Sequence, residues 1–166
     1  MRKTLHSFVF IMFAIIISSN AQQFKDHNGW EFFDWGINKA SIDKILTADN
    51  NKFSDATALD ADFNYEGMNT WLYYNTQNEL IKVHQRKTFS VIHDKEAGIF
   101  YDAFLAELKN NYGEPSHSGT NTKDSVITLS WDLKYTKIAL EYNYKYKIID
   151  EFGADAYWID VIFEPD

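Results

Sequence analysis

Strict alternation of apolar and polar residues is the feature that most limits the folds open to this chain. Across residues 59–66 every odd position is apolar or aromatic, and every even position is Asp, Asn or Glu. A period of two is the pattern of a half-buried β-strand. Other alternating, aromatic or β-branched runs extend the prediction to six strands. The predicted strands are 59–66, 70–75, 80–89, 126–131, 135–146 and 155–164.

Two amphipathic helices are predicted between these strands. Residues 39–47 follow Asn38, a good N-cap, and carry apolar side chains at i, i+3 and i+4. Asp94 can cap a second helix, in which a longer apolar stripe runs at helical spacing from Ala97 to Tyr112. Gly113 stands where a helix end favours a left-handed residue, and Pro115 prevents continuation. The second helix is therefore the most strongly specified element of the sequence.

The order helix-strand-strand-strand occurs twice, over residues 37–89 and 94–164, as a repeat of pattern rather than of sequence. Short connections between strands predict antiparallel pairing. We therefore expect a single α+β domain over 22–166, with a mostly antiparallel sheet and both helices packed on one face. The opposite face of that sheet is expected to be partly open to water.

Three short motifs carry a resemblance to other proteins. The residues are Phe33, Trp35, Gly36 and Asn38 before the first helix, Tyr112, Gly113 and Pro115 after the second, and Trp131 in the next strand. This set resembles a pattern in uncharacterised small exported bacterial proteins and covers most of the chain beyond residue 21. The resemblance implies the architecture alone and brings no activity or site.

The first 21 residues have the pattern of a secretory signal peptide. Arg2 and Lys3 precede an apolar run at residues 8–17, and small residues lead to a cleavage site after Ala21. Ten helical residues reach about 15 Å, half of a hydrocarbon core of about 30 Å. We therefore predict cleavage, no membrane anchor afterwards, and a periplasmic or secreted location. The chain has no cysteine, which excludes structural disulfides and lipidation through cysteine.

Charge limits the partners. The predicted leader contains two of the 16 basic residues and none of the 24 acidic ones, so residues 22–166 carry 14 basic and 24 acidic residues, a net charge of −10. A chain this acidic is repelled by phosphate, which argues against nucleic acid and anionic membranes as partners. With 7 glycines in all, a glycine-rich phosphate loop is not expected.

Asp60 and Asp62 are the first candidate site residues, since they share one face of the predicted strand 59–66. Paired carboxylates bind divalent cations or act as acid and base when their pKa values differ. The alternative is the ordinary wet face of an amphipathic strand. No zinc-binding motif accompanies them, so no metal and no cofactor are predicted.

A basic row on the third predicted strand contains His84 and Arg86. If the second strand lies between the first and third, this row faces the Asp60/Asp62 row across an aromatic floor. That floor is either Trp71 with Tyr73 or Leu72 with Tyr74. Such a surface suits a polar ligand or a peptide. The alternative is cross-strand charge pairing that only stabilises the sheet.

Trp158 and Ile162 lie on one side of the last predicted strand. The other side carries Tyr157, Ile159 and Val161, so one of the two sets faces away from the helices. An exposed Trp/Ile pair indicates a partner surface. The alternative is that another element covers the pair, for example the segment 30–35.

Two functions are weighed from the sequence, beside a third that it also leaves open, a purely structural or toxin-immunity-like protein. The first is a non-enzymatic binding or cell-envelope accessory module that holds a protein or a small polar ligand on its open sheet face. The second is a small extracytoplasmic hydrolase or isomerase that uses a carboxylate and His84 in a pocket. A pocket joining His84 to a carboxylate favours the enzyme, and a flat sheet favours binding. The sequence does not indicate an oligomeric state.

Overall fold

The computed structural model describes residues 28–31, 33–48, 53–54, 60–144 and 156–166. The predicted signal peptide, residues 1–21, lies outside the described residues. The helices are α1 (Lys39–Ala48) and α2 (Asp94–Tyr112), and a 3-10 turn at Val91–His93 leads into α2. The strands are β1 (Gly29–Trp30), β2 (Phe33–Asp34), β3 (Phe53–Ser54), β4 (Phe63–Tyr65), β5 (Met68–Tyr74), β6 (Leu80–Ser90), β7 (His117–Asn121), β8 (Val126–Asp132), β9 (Thr136–Asn143) and β10 (Ala156–Pro165).

Eight of the described strands form one antiparallel sheet, in the order β3-β4-β5-β6-β10-β9-β8-β7. Each half is a meander of four consecutive strands that follows one helix. The halves meet through their last strands, where β10 pairs with β6 over eight residues. The α+β class and the antiparallel pairing are confirmed. Each unit has four strands rather than the predicted three, because β3 and β7 were not expected.

One side of the sheet carries the core. Ile42 of α1 and Leu108 of α2 join the same buried cluster as Val83, Leu140 and Val161 from the central strands. The prediction that both helices pack on one face is therefore correct. Burying a large apolar side chain stabilises a fold by about 1.5–3 kcal/mol, so this single layer of contacts dominates the gross stability.

The apolar stripe forms α2 as predicted. The helix ends at Gly113, whose φ of 85° and ψ of −167° suit glycine, and whose N–H donates to the Lys109 carbonyl. The Gly113 carbonyl then accepts a buried hydrogen bond of 2.8 Å from Trp131 Nε1. The helix end is thus tied to the middle of the second half-sheet.

The start of α1 is fixed by its cap and by the β5–β6 turn. Asn38 Oδ1 accepts a 3.0 Å hydrogen bond from the N–H of Ala40, which confirms Asn38 as the N-cap. The N–H of Leu80 donates to the carbonyl of Ile37, and the N–H of Gly36 donates to the carbonyl of Leu80. These bonds hold the start of α1 against the first half-sheet.

The aromatic segment before α1 is a two-stranded hairpin of β1 and β2, paired Trp30 to Phe33. Trp30 is 2% exposed and packs edge-on against Tyr65 and beside Phe163, on the helix side of the sheet. The described part of segment 30–35, offered as one example of an element that could cover Trp158 and Ile162, therefore does not cover them. Trp30 completes the core on the opposite face.

Two predicted elements differ from the structure. The strand predicted at 59–66 is only Phe63–Tyr65 among the described residues, and Asp60 lies in a turn before it. His117–Asn121, expected as a polar loop, is the edge strand β7. All five of its residues are exposed, so it has no apolar alternation from which to predict a strand.

Candidate functional site

The candidate site lies on the side of the sheet turned away from the core. We call this side the reverse face and define it by the cross-strand register: the odd residues of β5, β7 and β9, and the even residues of β8, β10 and, from Lys82 onward, β6. None of these residues belongs to the buried core cluster. The core is therefore complete without the aromatic and charged side chains found here.

The centre of the reverse face is an ion pair between Arg86 on β6 and Asp160 on β10. Nε and Nη2 of Arg86 each donate to a different oxygen of Asp160, both at 2.6 Å. The Asp160 side chain is only 5% exposed and that of Arg86 is 36% exposed. Burial by itself would raise the pKa of Asp160, but the hydrogen bonds from Arg86 hold that pKa below its usual value. The same bonds raise the pKa of Arg86.

His84 is the second basic side chain beside this carboxylate. Its Nε2 lies 3.0 Å from Oδ1 of Asp160, but among the described residues that nitrogen makes no well-aligned hydrogen bond. The contact is therefore an ion pair only when the His84 ring is protonated. Trp71, opposite His84 on β5, stacks on the imidazole with centroids 5.1 Å apart and planes inclined by 27°. The ring is thus held between an indole and a carboxylate.

Trp158 closes the other side of the Arg86–Asp160 pair. The guanidinium carbon of Arg86 lies 5.0 Å from the Trp158 ring centroid, a cation–π distance. Trp158 and Ile162 are both half-buried, not exposed as an open pair would be. Trp158 Nε1 is buried and has no hydrogen-bond partner within the described ranges. A buried donor in that state costs about 1–3 kcal/mol.

Glu141 on β9 pairs in register with Asp160, so Arg86, Asp160 and Glu141 form one row across three strands. Burial raises the pKa of Glu141, and the neighbouring charge of Asp160 raises it further. The basic side chains of His84 and Arg86 partly offset this rise in pKa. Glu141 is therefore a half-buried acid that makes no direct hydrogen bond or ion pair among the described residues, although basic groups lie near it.

A shallow hollow of about 210 Å³ lies next to this row. Small side chains from β9 and β8, Ala139 and Ser130, leave the space, and Ile162 borders it. Lys137 and Glu164 also line it. The volume is below the roughly 300–1,000 Å³ of pockets for drug-sized ligands. His84 and Asp160 do not line this hollow.

Of the two aromatic sets that the sequence left open, Trp71 with Tyr73 shares the face of His84, and Leu72 lies on the core side. Tyr73 is 43% exposed, and Lys82 lies over its ring at 5.5 Å. As predicted, β5 lies between β4 and β6. The carboxylates that meet the basic row, however, come from β10 and not from residues 60 and 62.

Asp60 and Asp62 do not form a row on one strand. Asp60 is exposed in a turn. Asp62 Oδ2 accepts a 2.7 Å hydrogen bond from the backbone N–H of Leu72. The carboxylate therefore binds the backbone of β5 just before β4 begins. Neither residue contacts the Arg86–Asp160 pair through any described bond. The prediction that Asp60 and Asp62 form a carboxylate pair on one strand face is therefore wrong.

Sequence reasoning missed Asp160, Glu141 and the small residues of the hollow as site residues. Asp160 did give a signal, since it is a lone charge between Trp158 and Ile162 in a strand otherwise rich in apolar residues. Its partner Arg86 lies 74 positions away, and only the strand register brings the two together.

The chemistry of the site favours binding a ligand over catalysing a reaction. Both oxygens of Asp160 are engaged by Arg86, so the carboxylate is poorly placed to accept a substrate proton. Within the part of the chain that the structure describes, no group of three or more His, Asp or Glu residues is placed to hold a metal ion. The fixed aromatic and charged side chains instead form a preorganised surface.

Comparisons of the chain with protein-family models, with curated proteins and with solved structures find no match. Among the described helices, none is long and apolar enough to cross a membrane.

Proposed function

We propose that this chain is an exported, non-enzymatic binding or cell-envelope accessory module that holds a partner on the reverse face of its sheet. The observation that carries the proposal is the set of large side chains found there, Trp71, Tyr73, Trp158 and Ile162, which the core does not use. Aromatic residues and arginine are the types most enriched among binding hot spots. A sheet that served only as a scaffold has no need of them on its water-facing side.

Preorganisation supports the same proposal. Arg86 is fixed by two hydrogen bonds to Asp160 and by the Trp158 ring, and His84 is fixed by Trp71. Ordering a rotamer-rich side chain on binding costs about 0.5–1.5 kcal/mol. Side chains that are already ordered avoid that cost, so a partner gains more net free energy from each contact.

The nature of the partner follows from charge. Residues 22–166 carry 14 basic and 24 acidic residues, so nucleic acid and anionic lipid are disfavoured by repulsion. A protein segment or a small polar ligand fits better. The signal peptide predicted at residues 1–21 supports an encounter in the periplasm or outside the cell.

The alternative is a small hydrolase or isomerase built on His84 and a carboxylate. The 3.0 Å contact between His84 Nε2 and Asp160 Oδ1 is the observation in its favour. Against it, Asp160 is 4% exposed and Arg86 holds both its oxygens, while the hollow opens elsewhere. An enzyme of this kind would lose turnover of a chromogenic ester panel on His84→Gln, whereas a binding module has no such turnover to lose.

The experiment is capture from an envelope extract of the producing cells by the immobilised exported chain. Trp71→Ala is expected to weaken retention of bound components by at least about tenfold, as loss of a hot spot does. Ile99→Ala removes an exposed side chain from α2 on the other side and is the matched control. Equal retention by both variants would remove the reverse face as the working surface.

A further inference from the structure

Two neighbouring features of the reverse face suit one ligand: the carboxylate of Glu141 and an open apolar hollow. Glu141 is a half-buried carboxylate that makes no direct ion pair or hydrogen bond among the described residues, and Arg86, the arginine that acts on it from nearby, is bound to Asp160. The hollow over Ala139 and Ile162 has an apolar floor with nothing packed on it from the described chain. Glu141 and Ala139 are two positions apart on β9 and share a face, so they lie about 7 Å apart.

The other charges near the hollow are already satisfied. Lys82 pairs with Glu164 at 3.0 Å, and Lys137 pairs with Asp166 at 2.9 Å. Arg86 is held by Asp160. Every lysine and arginine in this central part of the face therefore has a carboxylate, and Glu141 is the carboxylate left over. An added cation would complete the row without displacing an existing pair.

The shape limits what supplies that cation. About 210 Å³ admits one side chain or a fragment, not a drug-sized molecule. The floor of Ala139 and Ile162 suits methylene groups. Lysine and arginine combine such a stem with a charged head that stays near water. The rim carries Asp132 and Glu164 against the single cation Lys137, so an anionic group would be repelled.

We propose that the hollow receives one lysine or arginine side chain of a basic partner protein, with its stem on Ala139 and Ile162 and its charged head on Glu141. This inference rests on the proposed function and names the chemistry of the partner. Burial already disfavours the charged form of Glu141, so a cation at this point is attracted more strongly than by a fully hydrated acid.

The probe is a blocked tri-arginine peptide, titrated into the ¹⁵N-labelled exported chain and followed by NMR, with blocked tri-glutamate as its counterpart. Shifts are expected at the amides of Ala139, Glu141 and Ile162. Glu141→Gln is expected to weaken binding about fivefold, the upper range for one partly exposed ion pair. Glu107→Gln removes an equal charge from an exposed position on α2 and should leave the affinity unchanged.

A second variant tests the shape. Ala139→Leu keeps every charge and fills the hollow, so it should weaken the peptide at least as much as Glu141→Gln. Equal weakening by Glu107→Gln and Glu141→Gln, shifts confined to the helix side, or the same shifts with tri-glutamate would each overturn the inference. If tri-arginine fails while capture from the extract still depends on Trp71, the basic partner is wrong and the binding module stands. If capture does not depend on Trp71, the proposed function itself falls.

Discussion

Arg86 and Asp160 lie on adjacent central strands and are joined by two hydrogen bonds of 2.6 Å, on the side of the sheet opposite the core. The pair stands at the junction of the two half-sheets, since β6 ends the first meander and β10 ends the second. The pair therefore links the two units and also forms the centre of the candidate site.

This pair should contribute measurable coupling to stability. A double-mutant cycle of Asp160→Asn and Arg86→Gln, measured by urea unfolding, is expected to give about 1–3 kcal/mol. The value is below that of a fully buried pair because the Arg86 side chain is 36% exposed. The matched cycle on Lys82 and Glu164, both partly exposed, should give about 0.2–1 kcal/mol. Equal coupling in the two cycles would contradict the special position of Asp160.

Acid should weaken the fold through Asp160. Its folded pKa is lowered, so the stability it contributes is complete above the unfolded pKa of about 3.9 and is lost as pH falls through the folded value. The difference in unfolding free energy between wild type and Asp160→Asn should shrink as pH falls below about 4. Urea midpoints followed by tryptophan fluorescence at fixed ionic strength measure this.

The stability that Glu141 contributes should depend on pH in the opposite direction. Its folded pKa is raised by burial first and by Asp160 second, so its contribution is complete below the unfolded pKa of about 4.3 and is lost as pH rises through the folded value. Relative to Glu141→Gln, wild type should therefore gain stability as pH falls from about 7 to 4. The same urea series measures it, and parallel curves for the two proteins would refute the assigned direction.

Two glycines in and after α2 should respond oppositely to the same change. Gly113→Ala forces a side chain onto φ 85° and ψ −167° and should cost at least about 1–3 kcal/mol. Gly98→Ala places a Cβ where nothing lies within 4 Å inside a helix, and should stabilise by about 0.5–1 kcal/mol. Thermal melts by circular dichroism should move in opposite directions. A shared direction would show that the helix end is not the source of the cost.

The core assignment gives a further matched pair on α2. Leu108 is 4% exposed and Ile99 is 69% exposed. Leu108→Ala should cost about 2–5 kcal/mol, because it removes buried methyl groups and leaves a cavity. Ile99→Ala should stay within about 0.5 kcal/mol. Denaturant unfolding compares them directly, and similar losses would mean that the buried face of α2 is misplaced.

The sequence predicted the elements whose pattern is set by burial on one face. The stripe of α2, the Asn38 cap and the bounds of β6 and β10 follow from local spacing and capping chemistry. It failed where that signal is missing: β7 is exposed along its whole length, and the hairpin β1–β2 is buried throughout the described part of its strands except at Asp34. In neither case does burial alternate over enough residues to be recognised.

The candidate site was only half predictable for a similar reason. Trp71, His84, Arg86, Trp158 and Ile162 were identified from their strand faces, and the structure places them all on the reverse face. Which carboxylate meets Arg86 depends on the order of the strands, and chain periodicity does not encode that order. Asp160 meets Arg86 because β10 pairs with β6. Asp60 and Asp62 come just before β4, which β5 separates from β6.

The position of β10 also bears on how the molecule is made. This strand follows all the other described strands in the chain, yet it lies between β6 and β9 at the middle of the sheet. A chain synthesised from its N-terminus can complete the β3–β6 meander and the first three strands of the other, β7–β9, but cannot join the two until residues 156–165 emerge. The centre of the sheet therefore stays unpaired until this strand is available, and the two units cannot form one continuous sheet before then.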